Sequence, residues 1–315
     1  MSAITRRQFG ISLLFSAAAS SCEIPPKHIL SDTEDSRFVH PGMLHAADDL
    51  ERMRLGVLEK KQTIFAGFEA LSNHAHSQKD YVPSGGYEEI GRNPNVHTKE
   101  FDSDANAAYQ CALMGHITGI KEYLDITKSV LNSWTRSLAR ITGADAILCA
   151  GLGGFKLVNA AELLRASMGT WSEAEARSFG EMLKKVFLPV LHTFAPFANG
   201  NWDTAAMKTL MAVAIFCDDR VLFDSVILYY CHGCGNGRLE NYLYTNGQCQ
   251  ESGRDQQHTQ LGLAHLGDCC EMAWHQGIDL YSVVENRLLL GFEYTARYNL
   301  GENVRLLRGE ITLCW

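Results

Sequence analysis

Polar side chains that can bind an anion and move a proton are concentrated in two short stretches. The longer is Gln250-Glu-Ser-Gly-Arg-Asp-Gln-Gln-His258, directly before an apolar repeat that restarts at Leu261. The shorter is Asn199-Gly-Asn-Trp-Asp203, at a break between two apolar repeats. Guanidinium and amide groups can stabilise developing negative charge, and a histidine can act as an acid or base near neutral pH. Both stretches are therefore candidates for a site.

The longer stretch opens a predicted helix that begins near Ser252. The residues expected on or close to one face of it are Arg254, Gln257, His258 and Leu261. Glu251 lies near the N-terminus, where the helix dipole favours a carboxylate. Alternatively, Arg254 pairs with a neighbouring carboxylate and His258 is a core histidine with its hydrogen bonds satisfied. Residues 251–256 contain five polar side chains and one glycine, a poor choice for a helix start that faces a core, so the run favours function.

A third group of polar residues lies near the end of the chain. Arg287 and Tyr294 are seven residues apart in a predicted helix, which places them on one face. An exposed stripe of ion pairs explains this group equally well. Trp202 could stack against a sugar ring, although single tryptophans in helical proteins more often belong to the core.

The elements that must position these residues are helices. Helical periodicity begins at Ala46 and, after a loop over residues 78–103, continues to the end. The predicted helices are 104–118, 121–140, 155–167, 172–195, 203–217, 220–231, 253–275 and 279–298. Ser172 and Glu175 form a capping box, and Pro189 predicts a kink. Successive amphipathic helices of this length indicate an all-α fold of antiparallel hairpins.

Composition narrows the class of protein. The 315 residues include 28 Lys and Arg against 36 Asp and Glu, a net charge of −8, and 46% are hydrophobic. This excludes intrinsic disorder and argues against a nucleic-acid partner, since there is no long basic tract. An anionic ligand would have to be held by a local cluster of cations. A single C-x-x-C, Cys231 to Cys234, is weak evidence for metal, so no metal site is predicted, and one or two disulfides are possible.

The first residues have the pattern of an export signal. Arg6-Arg7 precedes a short apolar run that ends before Cys22, as in twin-arginine signals, and Cys22 is positioned like the lipidated cysteine of a lipoprotein. An ordinary cleaved signal is an equal alternative. We therefore expect a signal peptide over residues 1–22, a linker and entry loop over 23–45, and a periplasmic or secreted protein, or an outer-membrane lipoprotein. Removal of the predicted signal peptide leaves 26 basic and 36 acidic residues, a net charge of −10. No membrane span is expected after it.

Several motifs resemble the alginate lyase domain of secreted polysaccharide lyases over about residues 38–303. They are Phe38-Val-His-Pro-Gly-Met-Leu-His45, Glu100-Phe-Asp-Ser-Asp-Ala-Asn-Ala-Ala-Tyr109, Ala150-Gly-Leu-Gly-Gly-Phe-Lys156-Leu-Val-Asn-Ala-Ala-Glu162, Gly200-Asn-Trp202, the run from Gln250 to His258, and Glu293-Tyr-Thr-Ala-Arg-Tyr-Asn-Leu-Gly301. The run from Gln250 to His258 is the most specific of them. The resemblance implies an α/α toroid, an incomplete barrel of antiparallel helix hairpins over residues 46–303, with a cleft for an anionic polysaccharide.

The resemblance also implies a chemistry, β-elimination at a 4-linked uronate, with alginate (polymannuronate) or glucuronan as the substrate and no cofactor. Elimination requires neutralisation of the uronate carboxylate, removal of the C5 proton and protonation of O4. By carry-over from the family, His258 is the base, and Asn201 and Arg254 neutralise the carboxylate. Tyr294 is chosen as the acid because it shares a helical face with Arg287. Glu251 holds one of the neutralising groups. Asn199, Trp202, Gln257 and Arg287 bind substrate.

The tail over residues 304–315 departs from the family pattern and suggests a truncated end. If a catalytic residue belongs to the absent part, the protein binds a uronate polysaccharide without cleaving it. A third possibility is a glycoside hydrolase on a similar toroid, which requires paired carboxylic acids. Asp203, Glu251 and Asp255 could supply that pair.

Overall fold

A computed structural model of the chain describes residues 37–167 and 169–307. This part contains twelve α-helices: α1 (Ala47–Leu58), α2 (Gln62–Ser72), α3 (Thr98–Thr118), α4 (Lys121–Ser137), α5 (Ala146–Ala166), α6 (Glu173–Met182), α7 (Leu188–Leu191), α8 (Asn201–Phe216), α9 (Arg220–His232), α10 (Leu239–Tyr242), α11 (Gln256–His275) and α12 (Val283–Asn299). The predicted signal peptide, Cys22 and most of the predicted tail lie outside the described residues. The predicted domain boundaries stay predictions.

The helices form an α/α toroid of antiparallel hairpins, as predicted. Helices α1, α3, α5, α8 and α11 pack side by side in this order. The chain returns on the outside through α2, α4, α6 and α7, α9, and α12. The ring closes where α11 reaches α1, since His275 Nε2 lies 3.1 Å from the Asp49 carboxylate. We call the space enclosed by the five inner helices the lumen.

One end of the lumen is crossed by the segment before α1. His40 Nδ1 lies 2.6 Å from the Glu162 carboxylate of α5, and the Leu44 N–H donates to the Asn159 amide oxygen at 3.3 Å. The Gln276 amide, just after α11, donates to the Gly42 carbonyl at 2.6 Å. The segment therefore lies across the C-terminal ends of α5 and α11, and the site must be sought at the opposite end, where α3, α5, α8 and α11 begin.

Helix α5 is the central element of the ring. It begins nine residues earlier than the predicted helix at 155, because Gly151, Gly153 and Gly154 interrupt its apolar pattern. These glycines allow close packing against α3 and α8, since a Cβ on Gly153 would lie 2.2 Å from the Phe101 ring. Among the described helices, α5 alone is long and apolar enough to cross a membrane, yet 89% of that stretch is buried inside the protein.

The remaining differences from the predicted elements are local. Ser172 and Glu175 form the predicted capping box. The kink predicted at Pro189 is a π-helical turn, Leu183–Phe187, immediately before α7. The predicted loop contains a three-residue strand, β1 (Glu89–Gly91), which pairs in parallel with β2 (Arg140–Thr142), Ile90 opposite Ile141.

Candidate active site

Two loops meet at the N-terminal ends of α8 and α11, and Gln250 joins them. Its amide oxygen accepts the Gly200 N–H at 2.8 Å, and its amide nitrogen donates to the carbonyls of Asn236 and Asn241. Only glycine fits at position 200, because a Cβ there would lie 2.2 Å from the Asn236 carbonyl oxygen. This packing brings together the two polar stretches that are 50 residues apart in the sequence.

Asn201 is the first residue of α8, and its side chain is 2% exposed. Its amide oxygen has no hydrogen-bond partner among the described residues. Glu251 is fully buried, and its Oε1 also lacks a described partner, while Oε2 lies 3.5 Å from the Arg254 guanidinium. Buried polar atoms in native proteins are nearly always paired with protein or water, so unsatisfied ones mark a place that a polar group is suited to occupy.

Arg254 does not belong to α11, contrary to the prediction of a helix beginning near Ser252. Asp255 is the N-cap, because its carboxylate accepts the His258 N–H at 2.8 Å, and the helix begins at Gln256. Arg254 therefore lies in the preceding turn, half-exposed, with its Nε 3.6 Å from the Asp255 carboxylate. Its guanidinium is held between the Glu251 and Asp255 carboxylates and is open to solvent. An anionic ligand can therefore reach it.

His258 forms a pair with Asp255. Its Nδ1 lies 2.7 Å from the Asp255 carboxylate, and its side chain is 30% exposed. The backbone hydrogen bond from His258 lowers the pKa of Asp255, and the ring contact adds to this effect. A carboxylate at Nδ1 favours the tautomer that carries its proton there and leaves Nε2 as an acceptor. The pair therefore has the arrangement of an oriented general base.

The residues predicted to bind sugar lie around the same end of the ring. Trp202 is partly exposed in the first turn of α8 and packs edge-on against Phe197, with ring centroids 5.5 Å apart. Asn199 precedes it in the loop and is also partly exposed. Gln257 is exposed in the first turn of α11. All three are at least partly accessible near the N-terminal ends of α8 and α11.

Tyr294 and Arg287 both lie on α12, and Tyr294 lines a groove together with residues 252, 253 and 256 of the longer stretch. The Tyr294 hydroxyl donates to the Arg305 carbonyl at 3.3 Å, and its ring lines a groove of about 260 Å³ between the start of α11 and α12. Arg287 is buried and donates to the Leu243 carbonyl at 3.1 Å. Both side chains donate to backbone carbonyls, and their predicted roles as acid and substrate ligand stay predictions.

Sequence reasoning missed His265, which lies about two helical turns beyond His258 on α11. It is 1% exposed, and its Nδ1 lies 3.2 Å from the Thr204 hydroxyl, which donates to the Asn201 carbonyl. Burial, followed by the charge of Lys208, lowers the pKa of His265 well below its ordinary value. His265 is therefore a neutral imidazole that contacts Thr204 in the first turn of α8. A histidine within an apolar repeat gives no sequence signal for this role.

The lumen itself carries ionisable side chains that sequence reasoning also missed. They are Asp102 and Tyr109 of α3, Lys156 of α5, Lys208 of α8 and Asp268 of α11. Lys208 Nζ lies 2.9 Å from the Asp268 carboxylate and 4.1 Å from the centroid of the Phe155 ring. The Tyr109 hydroxyl lies 2.6 Å from His45 Nε2, and burial lowers the pKa of His45 to about 4. Larger grooves of about 660 and 740 Å³ lie on the outside against α6 and contain none of the predicted residues.

Metal ligands and disulfides do not contribute to the described part of the chain. Its eight cysteines are free thiols. Among the described residues, no group of three or more histidine, cysteine, aspartate or glutamate side chains is arranged to hold a metal ion.

A helical toroid with an arginine, an amide and a histidine–aspartate pair at the open end of its lumen defines the class of α/α-toroid polysaccharide lyases. A family model described as alginate lyase matches residues 61–304. The chain belongs to the alginate lyase family and is a polysaccharide lyase, as the sequence motifs predicted.

Solved structures of alginate lyases have the same fold. One from Bacteroides ovatus is 14% identical, covers 82% of this chain and 84% of its own, and superposes with a TM-score of 0.60. A variant of alginate lyase A1-III complexed with a tetrasaccharide is 16% identical, covers 80% and 76%, and has a TM-score of 0.60. Alginate lyase A1-III from Sphingomonas species A1 is 13% identical, covers 80% and 78%, and has a TM-score of 0.59. No curated protein matches the chain significantly.

Proposed function

We propose that this lyase cleaves β-1,4-linked polymannuronate, or glucuronan, by β-elimination at the N-terminal ends of α8 and α11. The observation that carries this proposal is the juxtaposition of the buried Asn201 amide, a tethered Arg254 and the His258–Asp255 pair. The family supports alginate as the polymer, and the structure of a relative with a tetrasaccharide supports an oligosaccharide ligand.

The first step is neutralisation of the uronate carboxylate. The Arg254 guanidinium and the Asn201 side-chain N–H donate hydrogen bonds to it and stabilise the enolate-like charge that forms when the C5 proton leaves. Glu251 holds Arg254 from the buried side at 3.5 Å. Because Arg254 is half-exposed, its approach to the sugar needs no rearrangement of the core.

The second step is proton transfer by His258. Its Nε2 takes the C5 proton, the C4–O4 bond breaks, a C4–C5 double bond forms, and the same proton passes to O4 of the leaving chain. One group can serve both ends of this transfer because C5–H and O4 lie on the same face of a mannuronate or glucuronate ring. In guluronate they lie on opposite faces. The single base therefore favours mannuronate and glucuronate over guluronate.

Tyr294 has no part in this scheme, since its hydroxyl donates to a backbone carbonyl. The hydrolase alternative is not favoured either. Asp203, one of its candidate acids, accepts hydrogen bonds from the Ala195 and Gly237 N–H groups and from the Tyr229 hydroxyl, and it is fully buried. A fully buried carboxylate that already accepts three hydrogen bonds is not accessible to a substrate or to its attacking water.

The test is incubation of the purified protein with polymannuronate, polyguluronate and glucuronan. We expect ultraviolet absorbance from the unsaturated product with polymannuronate or glucuronan, and about 10²-fold less with His258→Ala, the lower end of what a positioned base contributes. New reducing ends without that absorbance would indicate hydrolysis. Affinity without either signal would indicate a non-catalytic binder.

We also propose that the protein is exported. Arg6-Arg7 and the following apolar run support a signal peptide, and Cys22 supports a lipid anchor. Cell fractionation should place the full-length chain in the periplasm, the outer membrane or the medium. Replacement of Arg6 and Arg7 by lysine should retain it in the cytoplasm if the twin-arginine route is used, and Cys22→Ser should release it from membranes if it is lipidated.

A further inference from the structure

Helix α5 is almost completely buried along its length. Between Ile147 and Leu164 every residue is buried except Leu152 and Lys156, which are four positions apart and so share one face. Lys156 is also the only cation in the first nineteen residues of this apolar helix. A charged residue at one of the two accessible positions of a core helix requires an explanation other than packing.

The two lumenal lysines are in different situations. Lys208 of α8 is buried, and its charge is compensated by Asp268 at 2.9 Å. Lys156 has no carboxylate within ion-pair distance among the described residues. Burial lowers the pKa of Lys156, and so does the like charge of Lys208, while Asp102 opposes both effects. Lys156 is therefore a partly desolvated cation that lacks a direct counterion.

The surroundings of Lys156 fit an anionic sugar. On α3, three partly exposed residues at spacings of four and three form one face, and they are Asp102, Asn106 and Tyr109. Carboxylate, amide and phenol groups supply the hydrogen bonds that sugar hydroxyls require. The nearby carboxylates of Asp102 and Asp268 make the lumen unsuitable for a doubly charged anion such as phosphate. A single negative charge on a hydroxylated ring matches the set.

We propose that Lys156 binds the carboxylate of a second uronate unit, deeper in the lumen than the unit that reacts. Lys156 is ten residues into α5, about 15 Å along the helix from its N-terminal end, whereas His258 lies in the first turn of α11. The reacting unit and the Lys156 unit are therefore different members of one bound chain. This inference rests on the proposed uronate substrate and adds a specificity site to it.

The test compares Lys156→Met with Lys121→Met. Methionine keeps the apolar stem and removes the charge, and Lys121 is an exposed lysine of α4 paired with Asp125 outside the ring. A lost hydrogen bond to a charged group costs about 1.5–3 kcal/mol, so we expect KM for long mannuronate oligomers to rise at least about tenfold. The kcat should stay within about twofold, and Lys156→Arg should recover most of the affinity. Lys121→Met should change neither value.

The dependence of cleavage on oligomer length distinguishes a binding role of Lys156 from a purely structural one. Oligomers too short to reach from His258 to Lys156 should be cleaved equally by wild type and Lys156→Met. An equal loss for short and long oligomers, or an unchanged KM for long ones, would overturn the proposal. If Lys156→Met lowers the melting temperature by more than a few degrees, Lys156→Gln and Lys156→Arg provide the same comparison in a folded protein.

A binding experiment tests the Lys156 site independently of the proposed reaction. Calorimetric titration of a long mannuronate oligomer into His258→Ala, with and without Lys156→Met, requires no turnover. Weaker binding of the double variant, with no such difference for an uncharged mannose oligomer, supports the carboxylate site even if no polymer is cleaved. Equal binding by both variants refutes the Lys156 site while leaving the lyase proposal intact.

Discussion

Asp255→Asn separates the two roles of Asp255 at the start of α11. The carboxylate caps the helix by accepting the His258 N–H at 2.8 Å and contacts His258 Nδ1 at 2.7 Å. Asparagine is an equally good N-cap, so the unfolding free energy should change by only a few tenths of a kcal/mol, against about 1 kcal/mol for Asp255→Ala. Its amide nitrogen, however, would donate to Nδ1 and place the ring proton on Nε2. We therefore expect kcat to fall about 10²-fold, near the lower end for a positioned base, because Asp255 is exposed and water shares its bonds.

The assay is the initial rate of ultraviolet absorbance increase with saturating polymannuronate, paired with urea unfolding of the same samples. Asp255→Asn should be slow and stable, whereas Asp255→Ala should be slow and less stable. Full kcat in Asp255→Asn would show that the pair does not orient a base. A large loss of stability in Asp255→Asn would mean instead that the measured loss of rate reflects the helix and not the imidazole.

Three further predictions concern other parts of the structure. Gly200→Ala should lower the unfolding free energy by about 1–3 kcal/mol, because the new Cβ would lie 2.2 Å from the Asn236 carbonyl; Gly253→Ala, with no atom within 4 Å of its Cβ, is the neutral control in the same urea titration. Tyr294→Phe should keep kcat within about twofold and cost about 1 kcal/mol of stability for one hydrogen bond, and a large loss of kcat would restore Tyr294 as the acid. Burial opposes protonation of His40, but its carboxylate partners outweigh this and raise its pKa above 6.5. Its stabilising contribution is therefore full below about pH 6.5 and disappears as pH rises through the raised value. The difference in unfolding free energy between wild type and His40→Gln should be larger at about pH 5.5 than at about pH 8.5, and a difference independent of pH would contradict the assignment.

Local features of the fold could be read from the sequence because their causes are local. Ser172 and Glu175 are three residues apart, so the capping box is visible in the sequence alone. The start of α11 is harder, since Ser252 and Asp255 are both good N-caps and only the hydrogen bond to His258 decides between them. The beginning of α5 was missed because its glycines resemble a breaker until Phe101, some fifty residues earlier, is seen to pack on them.

The candidate site was predictable to the extent that its residues are close in sequence. Arg254, Asp255 and His258 lie within five positions, so their proximity follows from the chain itself. Lys156 and His265 lie within apolar repeats, and their surroundings come from other helices. Helical periodicity indicates that a residue faces the interior but cannot distinguish a packed core from a lumen. The same limit of the sequence applies to Tyr294. Its periodicity shows that it shares a helical face with Arg287, but not which part of the protein that face contacts.

The segment that crosses the lumen also constrains the order in which the protein folds. The Val39 N–H donates to the Gln276 side chain, 237 residues away, and the Met43 carbonyl contacts His275 across a similar separation. Contacts between such distant positions close a long loop, which costs conformational entropy. They therefore form later and more slowly than the contacts within local hairpins. The hairpins from α1 to α9 can form as they leave the ribosome, and residues 40 and 44 can then contact α5, but their contacts with the end of α11 must wait until that helix has been synthesised. In a nascent chain halted before Gln276, residues 38–46 should therefore be more sensitive to protease than in the complete chain, and their full protection should appear only with the last inner helix.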